Sequence, residues 1–227
     1  MAPFTVAVYL YPNADILDFT GPTEIYSAGP LDGSSPFKIT SFAHENPIET
    51  HSGAMTYIPN ATFQDIAPRI EEFDVLVIPG ASPDAITSLL KSTEGKELTA
   101  LLKKFVETKP RKESGKRVLQ SVCTGSLLLA ASGVLAGRNA TTHHLFFDML
   151  KEFADEAAGG DSKINVQKTR WVDAGTTDAG VKIVNAGGVT SGIDTSLWIV
   201  ELLAGKEAAD WAADLTEFER RSKGWAE

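Results

Sequence analysis

Ser121-Val122-Cys123-Thr124-Gly125 holds the single cysteine of a 227-residue chain, and its reading decides the fold. Ahead of it, Arg117-Val118-Leu119-Gln120-Ser121-Val122 has the short apolar run of a buried strand. Behind it, residues 124–131 are small, apolar and free of breakers, which predicts a helix opening directly after the cysteine. Strand, one-residue corner and helix, with glycine two places on, form the cysteine version of a nucleophile elbow. Gly125 lets the helix approach the strand closely. The free N–H groups and dipole of the helix start favour a thiolate, so the pKa is expected to fall from about 8.5 towards ~4–7. The plain alternative is a structural cysteine on a core helix; the elbow context favours function.

Outward from the elbow, apolar runs alternate with helical patterns. Strands are predicted at 5–10, 37–43, 75–78, 118–122 and 181–185, and helices near 22–28, 83–90, 98–107, 124–131, 145–156 and 195–203. Such alternation builds an α/β fold, a doubly wound and mainly parallel sheet with helices on both faces. Short polar segments at 54–58 and 163–172 predict hairpin or edge strands added to that sheet, and the glycine-bounded stretch 175–180 predicts a hairpin turn. One domain is expected over residues 1–227, with its core at about 5–205. A terminal amphipathic helix at 206–218 places Trp211, Leu215 and Phe218 on one face, to cover the sheet or meet a second subunit.

Composition narrows the function classes. Apolar residues make up 43% and charged residues 22%, ordinary for a globular chain that buries about 70–75% of its unfolded surface. A net charge of −9 argues against nucleic acid as a partner. No apolar run reaches the roughly 20 residues needed to span a bilayer, and no charged leader precedes the first strand, so a cytoplasmic protein is expected. One cysteine cannot form an internal disulfide, and four scattered histidines offer no zinc-like cluster.

Three further segments end at the C-terminal edge of the predicted sheet, where open α/β sheets place ligands. Asp15-Ile16-Leu17-Asp18-Phe19-Thr20-Gly21-Pro22 sets an acid just before a proline-started helix; as a purely structural device, Asp18 or Thr20 caps that helix. Pro79-Gly80-Ala81 follows the third strand, and its amides with that of Thr124 suggest a pocket like an oxyanion hole, although Pro-Gly is also common turn chemistry. Thr141-Thr142-His143-His144 returns an imidazole towards the cysteine, or serves as a cap or core element.

Taken together, Leu17-Asp18-Phe19-Thr20-Gly21-Pro22, Ile78-Pro79-Gly80, Val122-Cys123-Thr124-Gly125-Ser126, the run 133–143 and Gly187-Gly188-Val189-Thr190-Ser191-Gly192-Ile193-Asp194 resemble the ThiJ/PfpI superfamily. Its fold is the flavodoxin-like, class I glutamine-amidotransferase-like one. Within it, the Leu-Asp-x-Thr-Gly-Pro and Val-Cys-Thr-Gly-Ser pairing is most similar to isocyanide hydratases. The motifs also occur in sensor domains of AraC-type regulators; with one sheet domain expected over these residues, no room is expected for their helix-turn-helix pair, and the regulator reading loses most of its weight. Thr124 stands where protease-like relatives carry histidine, and Asp18 where chaperone and glyoxalase-like relatives carry glutamate.

The resemblance implies a metal-independent, cofactor-free hydro-lyase acting on a small molecule, and a homodimer. It implies Cys123 as nucleophile, Asp18 as acid and base, and Thr124 as a catalytic-site support. Gly80, Ala81, Thr20 and His143 would contact substrate, with Gly125 and Asp194 supporting the site. Two other readings stay open here: a glyoxalase-like enzyme acting on methylglyoxal, and a redox-responsive protein with an oxidisable Cys123.

Overall fold

The structure is a computed structural model that describes residues 2–30 and 33–221. Among them, seven strands form one sheet: β1 Phe4–Tyr9, β2 Phe37–Ala43, β3 Ala61–Thr62, β4 Val75–Ile78, β5 Val118–Ser121, β6 Trp171–Thr176 and β7 Lys182–Ala186. Their spatial order is β6-β7-β5-β4-β1-β2-β3. Every neighbouring pair is parallel except β6 with β7. β4 and β5 are buried at every position, as strands covered on both faces must be.

The larger helices are α1 Ile16–Ser27, α2 Pro83–Lys91, α3 Thr93–Glu107, α4 Gly125–Ala131, α5 Phe147–Ala158, α6 Ser191–Ala204 and α7 Lys206–Leu215. Helices α1, α6 and α7 pack on one another, as do α2 to α5, and the two groups form the layers flanking the sheet. No helix among the described residues is long and apolar enough to cross a membrane.

A buried polar tie joins one layer to the sheet. Tyr26 on α1 donates to Gln120 Oε1 at 2.7 Å, and Gln120 on β5 donates to Thr195 and Ser196 on α6, each at 2.9 Å. Both amide hydrogens and the carbonyl of Gln120 are thereby used, so the strand leading to Cys123 is fixed in register against both helices.

Several sequence expectations are corrected. Helix α1 begins six residues before Pro22, and the proline lies inside it. Residues 54–58 do not extend the main sheet: Thr56–Tyr57 pairs with Ile48–Glu49 in a separate hairpin. The stretch 163–172 divides, with Asn165–Val166 pairing Asn139–Ala140 and only its end, from Trp171, entering the sheet as an antiparallel edge. The hairpin turn at 175–180 is present, closed by Thr177 N–H donating to the Val181 carbonyl. On α7 the buried positions are Ala209 and Ala212, while Leu215 is exposed. Trp211 is held instead through its indole N–H, which donates to the Gly29 carbonyl at 3.0 Å.

Candidate active site

The main chain turns sharply at Cys123, which has φ of +56°. That left-handed geometry is rare for a residue with a Cβ and is the mark of an elbow. Its N–H donates to the Gly187 carbonyl at 2.9 Å, and Val122 N–H donates to Ile78 at 3.0 Å. The corner is thus fixed between the ends of β4 and β7. Helix α4 can follow at once because of Gly125: a Cβ there would stand 2.3 Å from the Ile78 carbonyl oxygen. Cys123 is 3% exposed.

Asp18, on the first turn of α1, is fully buried beside the sulfur. Gly80 N–H donates to its Oδ2 at 3.0 Å, whereas Oδ1 accepts no hydrogen bond among the described residues. Burial first, and the negative charge of Asp15 second, push the Asp18 carboxyl up to about 8; the Gly80 amide and the Cys123 thiol pull the other way. Gly80 must be glycine for this approach, since a Cβ would lie 2.7 Å from Asp18 Oδ2 and 2.6 Å from Thr124 Oγ1.

The thiol does not follow the expectation of a lowered pKa. Burial and the charges of Asp18 and Asp15 push it up, and the two amides that favour the thiolate, of Thr124 and Val189, do not outweigh them. Cysteine and acid therefore cannot both ionise at neutral pH. When Asp18 holds the proton its repulsion on sulfur vanishes, burial still holds the thiol up, and the Thr124 and Val189 amides remain to favour the thiolate.

The pocket of amides expected from Gly80, Ala81 and Thr124 is also corrected. Gly80 N–H is committed to Asp18. Ala81 N–H donates to Thr124 Oγ1 at 2.8 Å, and that hydroxyl donates back to the Ala81 carbonyl at 2.6 Å. Thr124 thus locks the turn after β4 to the elbow, and the second amide at the sulfur comes from Val189. That residue has φ of +22°, a conformation a β-branched side chain gives no reason to expect.

The remaining sequence candidates divide. Thr20 donates its hydroxyl to the Ile16 carbonyl one turn back at 2.7 Å and neither caps α1 nor serves the sulfur. His143 lies against Gly188, where a Cβ would sit 2.9 Å from its ring, and its Nδ1 accepts from Leu145 N–H at 3.3 Å. Burial and its neighbour His144 hold its pKa down. Asp194 is distant in role: its Oδ2 accepts from Arg170 Nε at 2.6 Å and its Oδ1 from Arg221 N–H at 2.6 Å. Arg170 in turn donates to Thr190 Oγ1 at 3.1 Å and accepts Gly187 N–H at its carbonyl, so Asp194 braces the loop that presents Val189.

Three residues at the site were given no role by the sequence reading. Tyr11, buried, donates its hydroxyl to the Pro79 carbonyl at 2.9 Å; Thr142 donates to the Cys123 carbonyl at 3.1 Å. Asp15 is the third. It stands at the N-cap position of α1 without making a side-chain cap, and donates its own N–H to the Gly80 carbonyl at 2.9 Å. Carboxylate oxygens of Asp15 and Asp18 and the Cys123 sulfur all lie within 4.8 Å of one another. Three such donors are enough to draw a cation, and groups so close can equally share a proton. A carboxylate three residues ahead of Asp18, on the same turn, was the available sequence signal.

Comparison with known proteins places these residues in context. Residues 5–202 match the profile of the DJ-1/PfpI family. The chain is similar to an isonitrile hydratase of Pseudomonas putida, 28% identical over 204 residues, or 90% of this chain and 74% of that one. Among solved structures it is similar to a ThiJ/PfpI family protein from Pseudomonas syringae, with a TM-score of 0.71 and 22% identity over 97% of this chain and 77% of that one. It is also similar to Drosophila melanogaster DJ-1beta, with a TM-score of 0.70 and 20% identity over 96% of this chain and 100% of that one.

Proposed function

The chain belongs to the DJ-1/PfpI family, and from that premise we propose that it hydrates an isocyanide, R–N≡C, to the N-formamide. The observation that carries this reading is the pairing of the elbow cysteine with a buried Asp18 whose carboxyl is pushed up to about 8 and whose Oδ1 has no partner among the described residues. An isocyanide carbon becomes electrophilic as it accepts a proton, so the reaction needs an acid and a nucleophile at one atom. In the reactive state Asp18 carries the proton and Cys123 is the thiolate. The proton passes to the terminal carbon, sulfur bonds to that carbon, and a thioimidate, R–N=CH–S, results with Asp18 ionised. Water adds to the thioimidate carbon, the C–S bond breaks with its electron pair returning to sulfur, and the formamide leaves. Covalent catalysis of this kind divides one difficult addition into two easier ones. The similarity to the Pseudomonas putida isonitrile hydratase supports the same chemistry.

Cyclohexyl isocyanide mixed with the purified protein is expected to yield N-cyclohexylformamide, followed by chromatography with a parallel reaction on methylglyoxal. Lactate without formamide would replace this reading with a carbonyl-directed one.

A further inference from the structure

Hydration requires two opposite proton movements, one onto carbon and one off water. The proposed acid cannot handle every proton alone. Once Asp18 has given up its proton it is a carboxylate that can take back one, whereas the water that adds carries two to be placed. The site contains a second carboxyl group at the right distance. Asp15, Asp18 and Cys123 present one oxygen, one oxygen and one sulfur within 4.8 Å of one another. Two groups each about 2.8 Å from one water lie up to about 5.6 Å apart, so three groups all within 4.8 Å of one another can share a single water. Oδ1 of Asp18, one member of the trio, is buried with no hydrogen-bond partner among the described residues.

We propose that Asp15 is the general base of the hydration step, taking a proton from the water that adds to the thioimidate, while Asp18 serves as the acid. This rests on the hydratase reading. Asp15 is free for the task because, although it occupies the N-cap position of α1, its side chain makes no cap. Its environment also differs from that of Asp18. Asp18 is sealed, whereas Asp15 is half-buried; burial pushes its carboxyl up as well, but His51 and His143 face it and work against that rise, where Asp18 has a second carboxylate adding to its own. Two carboxyl groups held in unlike surroundings divide naturally into acid and base.

The protons balance. After the first step both aspartates are ionised and the thioimidate is on Cys123. Water oxygen bonds to carbon as Asp15 takes one water proton and delivers it to the imidate nitrogen, giving R–NH–CH(OH)–S. The remaining hydroxyl proton goes to Asp18 as the C–S bond breaks and the C=O bond forms. The products are the formamide, the thiolate and protonated Asp18, which is the starting state.

The test separates the two half-reactions. Wild type and Asp15→Asn are mixed with excess cyclohexyl isocyanide, and turnover and intact protein mass are followed together. In Asp15→Asn, turnover is expected to fall about 10²–10³-fold while an adduct one isocyanide heavier accumulates on Cys123, forming within about 3-fold of its wild-type rate. Asp15→Ser, which keeps an N-cap residue and removes the carboxylate, is expected to behave alike and serves if the asparagine variant does not fold. Wild-type turnover in the variant, or a variant that turns over slowly because it cannot form the adduct, overturns the assignment. A wild-type protein that makes no formamide overturns the hydratase reading itself, a distinct result.

Discussion

Cys123→Ala is expected to lose isocyanide turnover by on the order of 10⁴-fold or more while keeping its fold, because it removes the only atom that can carry the covalent intermediate. The deletion is small in packing terms. It takes one sulfur from a buried site, a change of about 1 kcal/mol, and leaves the backbone bonds from residue 123 to the end of β7 untouched. Backbone strain adds nothing to that change, since alanine at φ of +56° is as disfavoured as cysteine. Glycine carries no such penalty, so Cys123→Gly should melt above Cys123→Ala although both are inactive. Formamide production by either variant would remove the covalent route, and a calorimetric melt beside the assay shows that a dead variant is a folded one.

Asp18→Asn is expected to move activity and stability in opposite directions. Turnover falls about 10²–10⁴-fold because asparagine has no proton to give to the isocyanide carbon. Stability follows from the sign of the pKa shift. The folded protein holds the Asp18 proton up to about 8, whereas an unfolded carboxyl releases it near 3.8. Below that lower value the group costs nothing, and as pH rises from about 4 to 8 its ionisation increasingly favours the unfolded chain. An asparagine never ionises. The variant should therefore melt above wild type at pH 8, by an amount on the order of a few kcal/mol, and the gap should close towards pH 4. Parallel melting curves at both pH values would show that Asp18 is not the buried acid described here.

The elbow was legible because three local signals agree at one place: a short apolar strand, a breaker-free helix, and a glycine whose missing Cβ makes room for the Ile78 carbonyl. The central sheet followed for a similar reason, since β4 and β5 are buried on both faces and their residues are apolar without interruption apart from Gln120 and Ser121. What escaped depends on partners distant in sequence. Pro22 suggests a helix start, yet it lies inside α1, with residues 16–21 already helical ahead of it. The Ala81 amide looked free for a ligand until the Thr124 hydroxyl, 43 positions away, was found to occupy it. Val189 supplies an amide to the sulfur only because the loop braced by Arg170 and Asp194 holds it there. The lowered thiol pKa was expected from a local helix start, and it is reversed by burial and by two carboxylates contributed from another element.

The Gln120 tie described above gives the single cysteine a use apart from chemistry. Tyr26, Thr195 and Ser196 anchor the cysteine strand to α1 and α6 at once, so the elements around the sulfur cannot separate one at a time. Segments bound together in this way open as one cooperative unit, with a free energy near that of the whole molecule. A bulky maleimide, too large to reach a thiol that is 3% exposed, then meets Cys123 only in molecules that have opened. Its labelling rate becomes a clock for native-state fluctuations, built into the chain with no engineered probe and read at one sulfur atom.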